Sequence, residues 1–231
     1  MSARKSGQTP LSRERITATA LAIVDAEGLD ALSMRRLGSE LGVDASSIYY
    51  HVPNKSALYD LVIDAVMAGM DLSDIDEQAT THGRVMALVH AFRDTLLAHP
   101  HALPLLASRP LLTPESVRPA EYALAIFHEA GYDYAHGLAA INCIAYYVLG
   151  GTITYVNHLL DTEYHEDYDE SRYLELPPEE FPHTIAAIQA GESREEFGRL
   201  EFFEEFETGA DALVRGLLTT PPARSSRSKK R

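Results

Sequence analysis

Residues 33–60 read SMRRLGSELGVDASSIYYHVPNKSALYD, and the punctuation of this stretch decides how the rest of the chain is organised. Ser33 is placed to cap a helix on which Met34, Leu37 and Leu41 fall at i, i+3 and i+7, one apolar face. Gly42 follows, where a sharp turn through positive φ costs least because there is no Cβ. Val43 re-enters the core, and Asp44 or Ala45 opens a third helix. Ile48 is the apolar anchor of that helix, while Ala45, Ser46, Ser47, Tyr49 and His51 around it are small or polar. Pro53 stops it, Asn54 caps the next helix, and Lys55 stands beside that cap. Two short helices hinged at a glycine, the second with one buried anchor and short hydrogen-bonding side chains, make a helix-turn-helix suited to the DNA major groove. A compact three-helix packing that never meets DNA produces the same pattern.

Upstream, a first helix is expected from about Ser12 to Glu27, ended by Gly28, with Ile16, Ala20, Ile23 and Val24 on one face. The chain thus divides into a basic arm (1–11), a helix-turn-helix domain (12–60), a helical body (61–220) and a basic tail (221–231). Both ends are polar and lack periodicity, the composition of flexible segments. The arm suits a path along the DNA backbone or into the minor groove, and equally plain solvation.

No segment after residue 60 alternates as a strand does, so the fold class is all-α. Leu58, Leu61, Val62, Ala65, Val66 and Gly69 mark a fourth helix, and Val85, Leu88, Val89, Phe92 and Leu96 a fifth. Pro104, Pro110, Pro114 and Pro119 punctuate a connection expected to hold only short helices, before another helix at 120–130. A long helix is expected at 134–160 and a last one at about 193–218, with Phe202, Phe206, Ala210, Leu213 and Leu217 as its stripe. Those stripes serve a subunit interface or an intramolecular core equally well. Residues 161–183 are acidic, rich in tyrosine and aperiodic, and read as a loop over a pocket mouth. His99 and His101, either side of Pro100, read as surface groups.

The net charge of −14 is unevenly spread. Residues 1–60 are neutral, with seven basic and seven acidic side chains; residues 61–222 carry −19 and the last nine residues +5. The acid is thus kept away from the reader, where it repels non-specific contact of the body with DNA. The single cysteine, Cys143, excludes a disulfide framework. A polar N-terminus and the lack of eighteen consecutive apolar residues argue against a signal peptide and a membrane span, leaving a cytoplasmic protein as the expectation. No nucleophile elbow, phosphate loop or metal-spaced histidine pair points to an enzyme. His158, Glu163, His165 and Asp167 fit no ligand motif, so neither a metal nor another cofactor is expected.

The segment LSMRRLGSELGVDASSIYYHVPNKSALYDL, residues 32–61, resembles the DNA-binding domain of the TetR family of bacterial repressors in its LG-V turn, its Tyr-Tyr-His run and its Asn-Lys step. The resemblance implies DNA contacts from Met34, Arg35, Ala45, Ser46, Ser47, Tyr49, His51 and Lys55, with Tyr50 packed between helices. Chemistry supports most of these: Arg35 offers a forked donor to guanine or phosphate, the serines donate and accept, and Tyr49, His51 and Lys55 suit phosphate. It also implies a homodimer on a double-stranded palindromic operator, joined through the last two long helices. Further on, AFRDTLLAHPHALPLLASRP and AEYALAIFHEAGYDYAHGLAAINCIAYYVLGGTI resemble the C-terminal domain of the tetracycline-repressor subgroup. There Leu105 or Leu106 replaces the metal-binding histidine, Ser108 the threonine of the Thr-Arg-Pro step, and Asp71 and Leu88 two polar drug contacts. Magnesium–tetracycline is therefore not the expected effector. The candidate pocket comprises Phe92, Leu96, Leu105, Arg109, Tyr122, Phe127, Asn142, Tyr146 and Tyr147, and suits a small, mostly apolar or aromatic molecule with one or two polar groups. A DNA-binding or interaction protein without such an effector is the alternative.

Overall fold

The computed structural model describes residues 10–160, 174–192 and 199–219. Among them are the helices α1 (Arg13–Glu27), α2 (Met34–Leu41), α3 (Ala45–His51), α4 (Lys55–Ala68), α5 (Thr81–Ala98), α6 (Leu103–Ser108), α7 (Pro114–Glu129), α8 (Tyr134–Leu160), α9 (Pro182–Glu192) and α10 (Arg199–Thr219), with no strand among the described residues. The arm up to residue 9, the tail from residue 220 and the candidate metal residues Glu163, His165 and Asp167 lie outside the described residues, as does the side chain of His158.

Local chemistry starts each of the first four helices. Side chains of Ser12, Ser33, Asp44 and Asn54 accept hydrogen bonds from the backbone N–H groups of Arg15, Arg36, Ser46 and Ala57 at 3.2, 3.1, 2.8 and 2.9 Å. Each satisfies a donor the helix itself leaves unpaired. Gly42 turns the chain in the left-handed region, φ 70 and ψ 31. A Cβ on Gly38 would lie 2.9 Å from the Val43 carbonyl oxygen, so the bare glycine lets α2 and α3 cross at close range.

Two cores result. One joins α1 to α4 with Ala102 and Leu105; the other joins α5, α7, α8 and α10, and Phe92 and Leu106 touch both. Helix α4 packs on α1 and on α7, and is therefore shared between reader and body. His99 and His101 are not idle surface groups. A one-turn 3-10 helix at Pro100–Ala102 holds them against the end of α1, with Nδ1 of each 3.0 Å from the Asp25 carboxylate and the Asp25 carbonyl respectively.

The sequence expectations need two further corrections here, and of the two roles open to the α10 stripe the buried positions take one. Helix α7 starts at Pro114 and runs through Pro119, because Thr113 and Ser116 form a reciprocal capping box and a proline is tolerated at the first helical position. Residues 182–192, the first two of which the sequence reading places in the acidic loop, form α9; residues 161–173 lie outside the described residues. The stripe of α10 faces its own subunit. Phe206 is only 3% exposed and Ala210 is buried, and Tyr147 Oη donates to the Phe206 carbonyl at 2.9 Å. Tyr155 stacks on Phe202 at 4.3 Å, and Glu207 takes Nη1 of Arg93 at 2.6 Å and Nε2 of His90 at 2.8 Å.

Helix α8 differs from its neighbours. Its residues Tyr134–Asn157 contain no Asp, Glu, Lys or Arg and have a mean hydropathy of 1.4, enough by length and composition to cross a membrane. It nevertheless packs against α5, α7 and α10 as a helix of the body. Its other face, with Leu138, Cys143 and Tyr146, is exposed.

Candidate DNA interface and effector cavity

The third helix presents a narrow outer surface. Ile48 and Val52 are buried, and Ser46, Ser47, Tyr49 and Tyr50 face outward with His51 half-exposed at the end. Tyr50 departs from the expectation of core packing, being 89% exposed with its ring edge-on to His51 at 5.4 Å. Helical geometry explains this, since a residue two places after Ile48 is rotated about 200° away from the buried side. Tyr50 thus joins the available aromatic and polar groups of the reader.

Met34 moves the other way. At 7% exposure it shares the apolar stripe of Leu37 and Leu41, so its position in the core outweighs the DNA contact implied by resemblance. Ala45 is half-buried against α2. The cations also divide. Arg36 is held by Glu27 at 2.6 Å and Glu40 at 2.5 Å, which raises its pKa further above the ordinary guanidinium value. Arg35 is exposed and has no ion pair among the described residues, which leaves it available for a base or phosphate. Lys55 is exposed, with Nζ 5.2 Å from the centre of the Tyr59 ring. At the start of α3, hydrogen bonds from Ser46 hold the Asp44 carboxyl below its ordinary 3.8. The N-cap therefore stays ionised near neutral pH.

In the body, a cavity of about 170 Å³ lies between α4, α5, α7 and α8. Met67, Met70, Leu88, Phe92, Ile141 and Ile144 form much of its wall, and Ser116 and Asn142 supply polar groups. Of the nine expected pocket residues, Phe92 and Asn142 line it. Leu96 and Phe127 are core, the latter edge-on to Tyr132 at 5.3 Å, and Leu105 belongs to the reader-side core. Tyr122 lies beside Arg84, Tyr146 is exposed on α8, and Tyr147 is committed to Phe206. Arg109 points at the reader: its guanidinium meets Asp60 at 2.6 Å and Ser56 Oγ at 2.7 Å on α4.

Sequence reading missed Ser116, Pro119 and Ala123. They recur at i, i+3 and i+7 once α7 is known to start at Pro114, and treating the prolines as breakers hid that signal. Leu88 does line the cavity, as its mapping to a drug contact implied, whereas Asp71 is exposed and bonded to Ser73. A wider, open cleft of about 650 Å³ separates the end of α1 from α8, with Glu27, Asp30 and His101 on its sides. The smaller cavity is the better effector candidate because its wall is almost wholly apolar and includes α4.

Residues 16–62 match the family model of bacterial regulatory proteins of the tetR family, and residues 76–220 match the tetracycline repressor-like C-terminal domain. The chain belongs to the TetR family. It is 33% identical over 140 residues to an HTH-type transcriptional regulator of Saccharopolyspora erythraea, covering 61% of this chain and 59% of that protein. It is 34% identical over 144 residues to the HTH-type transcriptional repressor DrrR1 of Streptomyces coeruleorubidus, covering 61% of this chain and 52% of the repressor. The matched stretches thus span little more than half the length of these relatives. Among solved structures, the TetR family protein ActR of Streptomyces coelicolor in complex with actinorhodin superposes with a TM-score of 0.79 at 26% identity, covering 93% of this chain and 99% of that one. In this TetR-family chain, the matched N-terminal region contains the capped helices α2 and α3, and the matched C-terminal region contains α7 and α8 of the cavity wall.

Proposed function

We propose that this chain is a homodimeric transcriptional repressor that binds a palindromic double-stranded operator and is released from it by a small, mostly apolar or aromatic effector. The observation that carries this reading is the apolar cavity whose wall includes Met67 of α4 and Met70 just beyond it, since α4 is also packed into the reader. A molecule that binds there acts on the element that positions α1 to α3. The actinorhodin complex of ActR supports an effector in a fold of this kind.

A single seven-residue α3 makes few contacts, so two copies on a two-fold operator are the usual route to specificity. The uncharged outer face of α8 is the surface offered for that pairing. It has Leu138, Cys143 and Tyr146 exposed on one subunit, and its partner is a second copy of the same face. Cytoplasmic residence follows from this role. The effector shifts the equilibrium between operator-competent and operator-incompetent spacings, and about 5.5 kcal/mol of differential affinity moves occupancy almost completely.

The test is a mobility shift with labelled DNA from upstream of the chain's own gene, repeated with fractionated small-molecule extract. Binding followed by release supports the reading. Binding that no fraction reverses favours the alternative, a DNA-binding protein without an effector.

A further inference from the structure

We infer that Ser116 is the residue that senses the effector's polar group, and that Ser116, Thr113 and Asp64 form a directional hydrogen-bond relay from the cavity to α4; the inference rests on the effector reading of that cavity. Ser116 is 1% exposed and lines both the apolar cavity and a second, more polar hollow that also contains Asp60, Asp64, Arg109 and Thr113. Its hydroxyl lies 2.8 Å from Thr113 Oγ1, and Thr113 Oγ1 in turn donates to Asp64 Oδ1 on α4.

Proton supply fixes the direction. Thr113 has one hydroxyl proton, and it is committed to Asp64. Ser116 must then be the donor in the 2.8 Å contact, the Thr113 carbonyl at 3.2 Å being its more distant alternative. Ser116 Oγ also accepts from the Thr113 backbone N–H at 3.2 Å. A ligand hydrogen-bond acceptor that takes the Ser116 proton therefore leaves Thr113 Oγ1 with the Ser116 backbone N–H at 3.2 Å in place of the closer hydroxyl donor. Hydrogen bonds in a chain polarise one another, so the Thr113–Asp64 bond weakens as well. Arg109 ties the same connection to Asp60 and Ser56 on α4 independently of the relay.

The effector class that operates the relay is an aromatic carbonyl compound. The cavity of about 170 Å³ is close to the roughly 150 Å³ that admits a benzene ring, so one ring with a carbonyl substituent fits it as it stands. A hydrocarbon of the same shape fits equally well but takes no proton from Ser116. Ser116 thus separates binding from signalling.

The experiment pairs acetophenone with α-methylstyrene, which replaces C=O by C=CH₂, on the full-length protein. Melting temperature reports binding, and anisotropy of labelled upstream DNA reports release. Both compounds are expected to raise the melting temperature, with acetophenone releasing DNA at a concentration at least tenfold lower. Thr113→Val is expected to keep the acetophenone-induced rise in melting temperature and lose at least tenfold in release, while Thr113→Ser restores it. Asp64→Ala removes the acceptor with the Thr113 cap intact and repeats the test, should Thr113→Val fail to fold. Equal release by the two compounds, or release from Thr113→Val at wild-type concentrations, overturns the relay and leaves the cavity reading standing. A melting temperature unmoved by either compound overturns the cavity reading and the relay with it.

Discussion

Tyr146→Glu is expected to yield a folded monomer. Tyr146 is 72% exposed on the uncharged outer face of α8, in contact with little of its own subunit. An aromatic side chain carries about 150–250 Å² of surface, so roughly 110–180 Å² is left for a partner to cover on each copy. At about 25 cal/mol per Å² that is about 2.8–4.5 kcal/mol per subunit, and two-fold symmetry counts it twice. Halving the total for incomplete burial still leaves about 3 kcal/mol, more than two decades in the dimer dissociation constant. A carboxylate facing its symmetry mate adds repulsion. Sedimentation velocity across a concentration series would report the dissociation, and circular dichroism would show that the helices persist. Phe206→Asp is the contrast: it removes a buried ring packed against Tyr147 and Phe202 and puts a carboxylate in that core, beside an Arg93 already committed to Glu207, so that variant is expected to unfold. A Tyr146→Glu protein that stays dimeric at nanomolar concentration would refute the assignment of this face.

Lys55→Ala should weaken operator binding similarly on all sequences and flatten the slope of log affinity against log salt by about one unit, read from titrations at several ionic strengths. Arg35→Ala should instead relax preference at particular base pairs by about 1–3 kcal/mol, measured with a panel of single-base operator variants. Magnesium–tetracycline should fail to release DNA at micromolar drug in the anisotropy assay, because Leu88 lines the cavity where a polar contact is needed and each missing buried partner costs roughly 1–3 kcal/mol. The Asp44 cap gives an acid dependence. Its folded pKa lies below the ordinary 3.8, so its contribution is complete above that value and lost as pH falls through the lower folded one; Asp44→Asn should flatten that limb of an acid titration followed by circular dichroism.

The reader was legible because its determinants are local. The caps Ser12, Ser33, Asp44 and Asn54 and the stripe residues Ile16, Leu37, Leu41 and Ile48 act within one or two helical turns, and each stands where periodicity puts it. The cavity was only partly legible because membership depends on how distant helices cross. Phe92 and Leu96 are one turn apart on the same face of α5, yet Phe92 meets the cavity and Leu96 is fully buried. Arg109 was misplaced for a related reason. A long side chain reaches a partner 49 residues away, and nothing in the local sequence records it. Tyr50 was misplaced by resemblance, where counting round the helix from Ile48 gives its outward direction.

The charge distribution ties these features together. With Arg36 committed to Glu27 and Glu40, each reader offers few cations from α2 to α4, chiefly Arg35 and Lys55. The body's net −19 adds repulsion rather than attraction toward DNA. Non-specific affinity per subunit is then low, and in the proposed homodimer tight binding depends on both readers engaging at once. Under that condition a small displacement of α4 suffices for release, because losing the match at one half-site forfeits the second reader's contribution entirely. In the function proposed above, a weakly charged reader, an uncharged pairing face on α8 and a cavity against α4 act as parts of one device: the weaker each half-site, the less work the effector has to do.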